Sequence, residues 1–329
     1  MTPKTMHAIQ YDRLGGPEVL KVVTVPVPEP PPGFIRVRNH AIAINFHDIN
    51  TRRGDEPDIA LPLIPGSDFA GVVDAVGEGV DHLKLGDRVL CINTSGAYAE
   101  YSLAFSAIAV PIPSGLSFER AASCPVAGLT AYFLARQVCP LTPETTVVTH
   151  AAAGSVGCFL GGLCRQIGAT SIGLVSSAEK AAIAKQAGHT HAINYRSEDP
   201  VGRVRELTGG NGANVVYDSV AGPYFQRSVD MAAADGTIVL FGHAAGDPPM
   251  EAITYLMRSS RNLGLRTYFL GATIQNHMDQ IPSAYNALFE GLMSGAITLP
   301  IETMPLSEAA AAHAKIESQQ TVGKVILVP

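Results

Sequence analysis

The middle of this 329-residue chain constrains the fold most, because short apolar runs alternate there with segments of helical period. The predicted strands are 145–150, 171–175, 191–195, 214–220, 237–242 and 263–268, and the helices between them are 155–167, 178–187, 200–207 and 223–234. Strands that are apolar throughout and alternate with helices are typical of a parallel sheet covered on both faces. The sequence therefore predicts an α/β protein with a doubly wound, parallel, six-stranded sheet.

A glycine-rich turn joins the first predicted strand to its helix and reads AAAGSVG over residues 151–157. Gly154 would let the backbone approach a pyrophosphate, and Gly157 would let the helix pack closely on the strand. Ala151 stands where the usual motif has its first glycine, so this turn is a weaker form of the motif. An ordinary βα turn is the alternative, but the surrounding strands and helices favour a Rossmann dinucleotide-binding domain. The turn residues expected to contact the cofactor are Ala153, Gly154, Ser155, Val156 and Gly157.

The residues after the second predicted strand indicate which dinucleotide binds. Enzymes that use NAD usually carry an acid there, whereas this chain has Ser176 and Ser177, followed by Lys180. A cation in the first turn of a helix opposes the helix dipole unless an anion lies nearby. Tyr195 and Arg196 end the neighbouring strand and could reach the same place. The pattern predicts NADPH, although a solvated lysine and a packed tyrosine would look the same.

The first third of the chain reads as an irregular β domain. The expected strands are 19–27, 35–44, 69–76 and 88–92, separated by Gly- and Pro-rich turns, and no helix of useful length is expected before about residue 118. After the parallel sheet we expect a long helix over 278–293, a second helix with Ser307 as its N-cap, and a last strand over 323–328.

Composition excludes several other classes of protein. The net charge is −6 and no block of Lys or Arg stands out, so a broad nucleic-acid-binding face is disfavoured. The five cysteines include no CxxC pair, which disfavours a zinc knuckle or a disulfide framework. The N-terminal residues lack an apolar signal region, and no apolar run approaches membrane-spanning length. We expect a soluble, cytoplasmic protein.

Motifs along nearly the whole chain resemble the zinc-free branch of the medium-chain dehydrogenase/reductase superfamily, specifically the quinone oxidoreductases similar to zeta-crystallin. They read GGPEVL, AINFHD, PGSDFAG, GDRV, HAAAGSVG, INYR, VYDSV and GK, and begin at residues 15, 43, 65, 86, 150, 193, 216 and 323. The resemblance implies a GroES-like catalytic domain over 1–126, a Rossmann NADPH-binding domain over 127–270 and a C-terminal segment over 271–329 that completes the catalytic domain. It also implies a homodimer joined through the edge of the Rossmann sheet.

The resemblance also bears on metal binding. Zinc-binding members of the superfamily have Cys where this chain has Asn45, and a His-Glu pair where it has Ser67 and Asp68. Asn and Ser are poor zinc ligands beside Cys and His. His40 and His47 lie close in sequence, but two histidines without a third soft ligand more often fill or cap a turn. No catalytic zinc is expected.

Three residues are expected to act in catalysis. In relatives, the equivalents of Asn45 and Thr130 lie beside the nicotinamide, and Asn45 could donate a hydrogen bond to the acceptor or to the cofactor. Asp48 is expected to fix the loop rather than to transfer protons. For Asn45, the alternative is a turn residue that satisfies backbone groups.

Further cofactor contacts are expected at two more places. Phe241 and Gly242, at the end of the fifth strand, would approach the nicotinamide half of the cofactor. Ser219 is also expected to contact the cofactor. Lys324 is expected at the cofactor cleft in the manner of the relatives. An exposed lysine at a strand end is the alternative for that residue.

The function that follows is NADPH-dependent reduction of small quinones by hydride transfer without a metal. The main alternative is an alkenal or enone reductase that uses the same pocket. Many relatives have a tyrosine near the position of Asn50, and its absence makes protonation of an enoyl-thioester product harder, which favours quinones. A lesser alternative is a crystallin-like or AU-rich-RNA-binding protein, which the acidic net charge disfavours.

Overall fold

A computed structural model of the chain describes residues 3–55 and 59–329. It contains two compact units. Unit 1 runs to Leu129 and also contains Met278–Met293 and Pro300–Pro329, and unit 2 contains Thr130–His277 and Ser294–Leu299. The chain therefore leaves unit 1 for one long segment, returns to it at Met278, and leaves it again briefly for Ser294–Leu299. The functional domain boundaries at residues 126 and 270 stay a prediction.

The first third of the chain is built mainly of strands. Its elements are β1 (Thr5–Gln10), β2 (Lys21–Pro26), β3 (Phe34–Ala43), α1 (Phe46–Arg53), β4 (Asp68–Val76), β5 (Arg88–Ile92), β6 (Tyr101–Phe105), β7 (Val110–Pro111) and α2 (Phe118–Ala122). The expectation that no useful helix precedes residue 118 is wrong, because α1 has eight residues. Its sequence is mostly polar and shows no clear apolar period, so the pattern gave no sign of it.

The middle of the chain alternates strands and helices. Its elements are α3 (Leu129–Phe133), β8 (Thr146–Thr149), α4 (Ser155–Ile167), β9 (Thr170–Val175), α5 (Ala178–Ala187), β10 (His191–Asn194), α6 (Pro200–Leu207), β11 (Ala213–Asp218), α7 (Phe225–Met231), β12 (Ala232–Leu240), α8 (Met250–Arg258), β13 (Gly264–Thr267) and α9 (Leu270–Asn276). The bounds of α4, α5 and α6 are those predicted. An apolar stripe marks α4 and α6, and Ser177 and Gly188 cap α5, which is why the ends of these helices could be read from the sequence.

The chain ends with α10 (Ile281–Ser294), β14 (Ile301–Pro305), α11 (Ala309–Glu317) and β15 (Lys324–Val328). The sequence predicted Ser307 as the N-cap of α11, and this prediction is wrong. A 3₁₀ turn over Leu306–Glu308 precedes the helix, and Glu308 occupies the cap position. A serine inside such a turn has the same sequence signature as a cap one residue before a helix.

In unit 2 the described strands form one parallel, six-stranded sheet in the order β10-β9-β8-β11-β12-β13. The order reverses at β8, which is the doubly wound pattern predicted from the alternation of apolar strands and helices. Side chains from both strands and helices form a continuous core beside this sheet, including Ile172, Val216, Phe225 and Ile238. The predicted sheet is confirmed.

In unit 1 the described strands form a mixed sheet in the order β14-β15-β3-β4-β5-β7, with β6 also paired to β3, and β1 and β2 form a separate antiparallel pair. The predicted irregular β domain is confirmed. Strand β15 lies between β14 and β3, so the last strand of the chain is an interior strand of this sheet. Its first residue, Lys324, is thereby placed beside the end of β3 and the start of α1.

The described residues include no helix with both the length and the apolar character needed to cross a lipid bilayer.

Candidate active site

In unit 2 the glycine-rich turn forms the start of α4. Ala151 has a φ of 49°, and the N–H of Gly154 donates to the Ala151 carbonyl at 2.8 Å. A Cβ atom on Gly157 would lie 2.6 Å from the Ala151 oxygen and from Ala152 Cα, so only glycine fits there. The turn therefore holds the N-terminus of α4 directly against the end of β8. The positive end of the α4 dipole lies at this turn, where an anion such as a pyrophosphate would be stabilised.

The ends of β9 and β10 bring the next group of predicted residues together. Ser177 is the N-cap of α5, and its hydroxyl oxygen accepts the N–H of Lys180 at 3.1 Å. The N–H of Tyr195 donates to the carbonyl of Val175 at 3.0 Å, which places Tyr195 beside Ser176. Partial burial and the positive charge of Arg196 both lower the pKa of Lys180. Two cations and two hydroxyls thus share one corner of unit 2, and a phosphate group would fit their charge and hydrogen-bonding capacity.

Ser219, Phe241 and Gly242 meet at the ends of β11 and β12. The N–H of Phe241 donates to the Asp218 carbonyl at 3.0 Å, and a Cβ on Gly242 would lie 2.9 Å from the Ser219 oxygen. Because the carboxyl ends of parallel strands meet at one edge of a sheet, these residues lie at the same edge as the glycine-rich turn.

A buried polar cluster that the sequence did not reveal supports this edge. The Ser228 hydroxyl donates to Asp218 Oδ2 at 2.6 Å and lies 2.9 Å from His150 Nε2. Asp218 Oδ1 also accepts the N–H groups of Val220 and Ala221. The cluster ties the residue before the glycine-rich turn to the loop after β11. His150 and Ser228 lie 78 residues apart in sequence, so no local pattern could have indicated the cluster.

Thr130 and Asn45 belong to different units. Thr130 is buried in α3, which lies between π-helical turns over Cys124–Gly128 and Leu134–Val138. Such turns are rare and often occur at functional sites. Asn45 is buried in unit 1, where it forms the N-cap of α1.

The carboxylate of Asp48 accepts hydrogen bonds at the start of α1. Its Oδ2 accepts the backbone N–H of Asn45 at 2.8 Å and the hydroxyl of Tyr98 at 3.0 Å, and Ser67 Oγ lies 3.5 Å from its Oδ1. Burial raises the pKa of Asp48, and the hydrogen bond from Asn45 opposes that rise. A carboxylate that accepts several hydrogen bonds orients the backbone around it, which is a structural role.

Lys324 lies in the same cluster as Asn45. Only 2% of its surface is exposed, and its Nζ donates to Asn45 Oδ1 and lies 3.9 Å from Asp68 Oδ2. The alternative of an exposed lysine at a strand end is therefore wrong. Burial lowers the pKa of Lys324, and burial raises the pKa of Asp68 to about 6 against the effect of the lysine charge. The side-chain amide of Asn45 also donates a hydrogen bond to Asp68, which opposes the rise in the pKa of Asp68.

A second chain of hydrogen bonds supports Asp48 from the other side, and the sequence gave no sign of it. Tyr98 OH lies 3.0 Å from His313 Nε2, and Arg52 lies 3.5 Å from His313 Nδ1 and pairs with Glu317. Burial lowers the pKa of His313 to about 3, so the ring is neutral. Arginine can only donate, so Nδ1 accepts, Nε2–H donates to Tyr98, and Tyr98 donates to Asp48.

Two known protein families match this chain, one mainly in each unit. The family described as alcohol dehydrogenase GroES-like domain matches residues 31–114, and the family described as zinc-binding dehydrogenase matches residues 155–283. Quinone oxidoreductase 1 of Escherichia coli strain K12 is 37% identical over 328 residues, which cover 98% of this chain and 99% of that protein. The chain belongs to the quinone oxidoreductase family.

Other relatives agree with this membership in the medium-chain dehydrogenase/reductase superfamily. The crystal structure of Escherichia coli quinone oxidoreductase complexed with NADPH has a TM-score of 0.93 and 36% identity, and the match covers 98% of this chain and 100% of that one. A 2-haloacrylate reductase of Burkholderia sp is 35% identical over 329 residues, or 96% of each chain. The GroES-like and Rossmann folds that the sequence motifs implied are confirmed.

One matched family carries zinc in its name. Within residues 3–55 and 59–329, no group of three or more His, Cys, Asp or Glu side chains is arranged to hold a metal ion. The ring of His40 stacks on Phe118 with centroids 4.5 Å apart, which accounts for one of the two histidines noted in the sequence.

His189 supports the glycine-rich turn from below. Its Nε2 lies 3.0 Å from the Gly157 carbonyl and its Nδ1 lies 2.6 Å from Ser171 Oγ. A carbonyl only accepts, so Nε2 carries the proton and Nδ1 accepts from the serine. Burial lowers the pKa of His189 to about 4, because this site stabilises the neutral ring.

A pH-dependent loss of stability follows from this. The unfolded chain takes up a proton on His189 near pH 6.5 while the folded protein does not, so the free energy of unfolding falls as pH decreases from 6.5 towards 4. The slope from this residue approaches about 1.4 kcal/mol per pH unit. In urea unfolding between pH 6 and pH 5, His189→Gln should lose less stability than the wild type. Because His150 and His313 titrate in both proteins, they cancel in the comparison, and parallel curves would contradict the assignment.

Proposed function

We propose that this protein is an NADPH-dependent quinone oxidoreductase that transfers hydride from NADPH to small quinones without a metal. The observation that carries the proposal is the corner of unit 2 where Lys180, Arg196 and the Ser177 hydroxyl lie together, since a 2′-phosphate fits it and an NAD ribose gains nothing from it. The full-length similarity to quinone oxidoreductases supports the choice of acceptor.

The residues of unit 2 divide the cofactor among three places. The α4 N-terminus at Gly154 and Gly157 would hold the pyrophosphate, Lys180 with Ser177 would hold the 2′-phosphate, and Phe241 with its neighbours would contact the nicotinamide half. When bound, NADPH supplies the hydride. Tyr195 lies beside Ser176, next to the place proposed for the 2′-phosphate.

Unit 1 supplies the group that recognises the acceptor. The side-chain amide of Asn45 has two N–H groups and can donate to the quinone oxygen that gains negative charge. Asp48 holds the backbone of Asn45 by accepting its N–H. A quinone accepts hydride readily, so a neutral hydrogen-bond donor is sufficient and no Lewis acid is required.

An alkenal or enone reductase is the second candidate. The 2-haloacrylate reductase among the relatives acts, by its name, on an activated alkene. Against it, Asn50 occupies the part of α1 where many relatives have tyrosine, so a proton donor for the α-carbon is missing at that position.

Substrate assays separate these candidates. With purified protein we expect oxidation of NADPH by small ortho- and para-quinones, much faster than with α,β-unsaturated aldehydes or ketones, and much faster than oxidation of NADH. Absorbance at the NADPH band measures each rate. Faster turnover of enals than of quinones would favour the alkenal reductase over the quinone reductase. Equal rates with NADPH and NADH would show that Lys180, Arg196 and Ser177, which we call the phosphate corner, do not bind a 2′-phosphate.

The phosphate corner has its own test. In Lys180→Met the loss of a charge-assisted hydrogen bond, about 1.5–3 kcal/mol, should raise KM for NADPH roughly 10- to 100-fold and leave KM for NADH unchanged. Lys185→Met is the matched control, because Lys185 is an exposed lysine in the last turn of the same helix. An equal effect of Lys180→Met on both nucleotides would show that the lysine does not contact the 2′-phosphate.

We also propose that two copies associate through the outer edge of β13. Within the described residues, β13 is hydrogen-bonded only to β12 in its sheet, so its other edge is open. Leu265 is 37% exposed and Phe269 is 68% exposed on this edge, and Met250 and Met257 of α8 are more than two-thirds exposed. An exposed, apolar strand edge favours pairing with a second chain, and twofold symmetry would join the two sheets edge to edge.

Sedimentation velocity tests this association. We expect a species of roughly twice the 34.5 kDa chain mass, and Leu265→Arg should shift it towards the monomer because a charge would be buried at the paired edge. Val22→Arg is the control, since Val22 is an exposed apolar residue of β2 in unit 1. A wild type that sediments as a monomer at high concentration would end the proposal.

The compartment proposed for this activity is the cytoplasm. All five cysteines are free thiols, which suits a reducing environment. The acidic net charge does not favour RNA as a partner.

A further inference from the structure

A groove in unit 2 lies at the edge of the parallel sheet opposite the glycine-rich turn. Its volume is about 480 Å³, and side chains of α6, the end of α7, α8 and the loop before β13 line it. Two of its arginines, Arg205 and Arg261, donate to the carbonyl of Ala232, the first residue of β12. Because the strands of a parallel sheet begin at one edge and end at the other, the groove is remote from the residues proposed to bind NADPH.

The charged side chains that line this groove are mostly positive. They are Arg205, Asp230, Arg258 and Arg261, and three positive charges against one negative charge leave a net charge of +2. The carboxylate of Asp230 is already engaged, because its Oδ1 accepts the hydroxyl of Tyr255 at 2.9 Å. A concave surface with this excess of positive charge attracts an anion, and a dianion would balance it.

The three arginines differ in what they do for the fold. Arg205 donates to the Asp230 carbonyl at 2.7 Å and Arg261 to the Ala232 carbonyl at 2.9 Å, so both join the end of α7 to neighbouring segments. The guanidinium of Arg258 is exposed, and no hydrogen bond or ion pair joins it to another described residue. Arg258 therefore contributes charge to the groove without a structural contact of its own.

Ser259 adds a hydrogen-bond donor beside the arginines. Its hydroxyl oxygen accepts the backbone N–H of Arg261 at 3.3 Å and the Nε–H of the same residue at 3.2 Å. Since a hydroxyl oxygen has two lone pairs, both are used, and the proton of Ser259 is left to donate. Four consecutive residues, 258–261, thus present two guanidinium groups and an oriented hydroxyl. Guanidinium groups match the geometry of a phosphate and bind it with charge-assisted hydrogen bonds.

We propose that this groove, which we call the arginine groove, binds a small phosphate monoester at a site separate from that of NADPH. The phosphate dianion lies between Arg258 and Arg261 and accepts the hydroxyl of Ser259. A volume of about 480 Å³ is much larger than a phosphate ion needs and is typical of sites for small organic molecules. The organic part of the ester then lies along Val201 and the ring of Tyr255, which line the rest of the groove.

Calorimetric titration of the full chain with glycerol 3-phosphate, at constant ionic strength, tests this site. Because the phosphate corner also attracts phosphate, every titration is made in the Lys180→Met protein. We expect saturable binding there, and adding Arg258→Gln should weaken it about 10- to 100-fold through the loss of a charge-assisted hydrogen bond. Arg136→Gln is the matched control, because Arg136 is an exposed arginine of unit 2 that does not line the groove.

Three results of the titration would overturn the proposal. One is the absence of saturable binding, and another is an equal weakening by Arg258→Gln and by Arg136→Gln. The third concerns the choice of ligand. Succinate carries two negative charges on separate carboxylates, so binding of succinate as tight as that of glycerol 3-phosphate would exclude a preference for phosphate.

The backbone amide signal of Ser260 locates the binding. Ser260 lines the groove, and in protein labelled with ¹⁵N-serine its signal is assigned by its loss in Ser260→Ala. We expect the signal to shift when glycerol 3-phosphate is added to the Lys180→Met protein, and an unmoved signal would overturn the proposal. Neither measurement uses NADPH or a quinone, so a failure of the proposed reductase activity would leave both results unchanged.

Discussion

The closeness of helix α4 to strand β8 is the constraint on which unit 2 depends. A methyl group at Gly157 would lie 2.6 Å from backbone atoms of the turn, so the helix can lie where it does only because that position has no side chain. This closeness points the first turn of α4 at the edge where the parallel strands end. His189 from below and the cluster of His150, Asp218 and Ser228 from the side then hold the same edge.

Unit 1 depends on a different feature, which is a group of charged side chains buried in its core. Asp48, Asp68 and Lys324 are almost fully buried, and each is retained by partners from distant parts of the chain. Replacing such a group with an apolar one is often neutral or stabilising in other proteins, so its presence here is better explained by function than by stability. Arg52 donates to the neutral ring of His313, and this fixes which atom donates in the hydrogen bonds from His313 to Tyr98 and from Tyr98 to Asp48.

The sequence predicted what is local and missed what is distant. The bounds of α4 and α6 followed from their apolar stripes and those of α5 from its caps, and the glycine-rich turn followed from its own seven residues. The helix α1 was missed because its residues are mostly polar and show no clear apolar period, although Asn45 and Asp48 form a capping box at its start. The link between Lys324 and Asn45 spans 279 residues, so resemblance to relatives could place both near a cofactor but could not show that they touch each other.

Strand β15 has one more consequence, which concerns the rate of folding. It pairs with β3, although the whole of unit 2 lies between these two strands in sequence. Pairing between segments so far apart closes a long loop, and folds rich in such contacts form slowly. The N-terminal residues of unit 1 therefore cannot complete their sheet until a distant part of the chain has joined it.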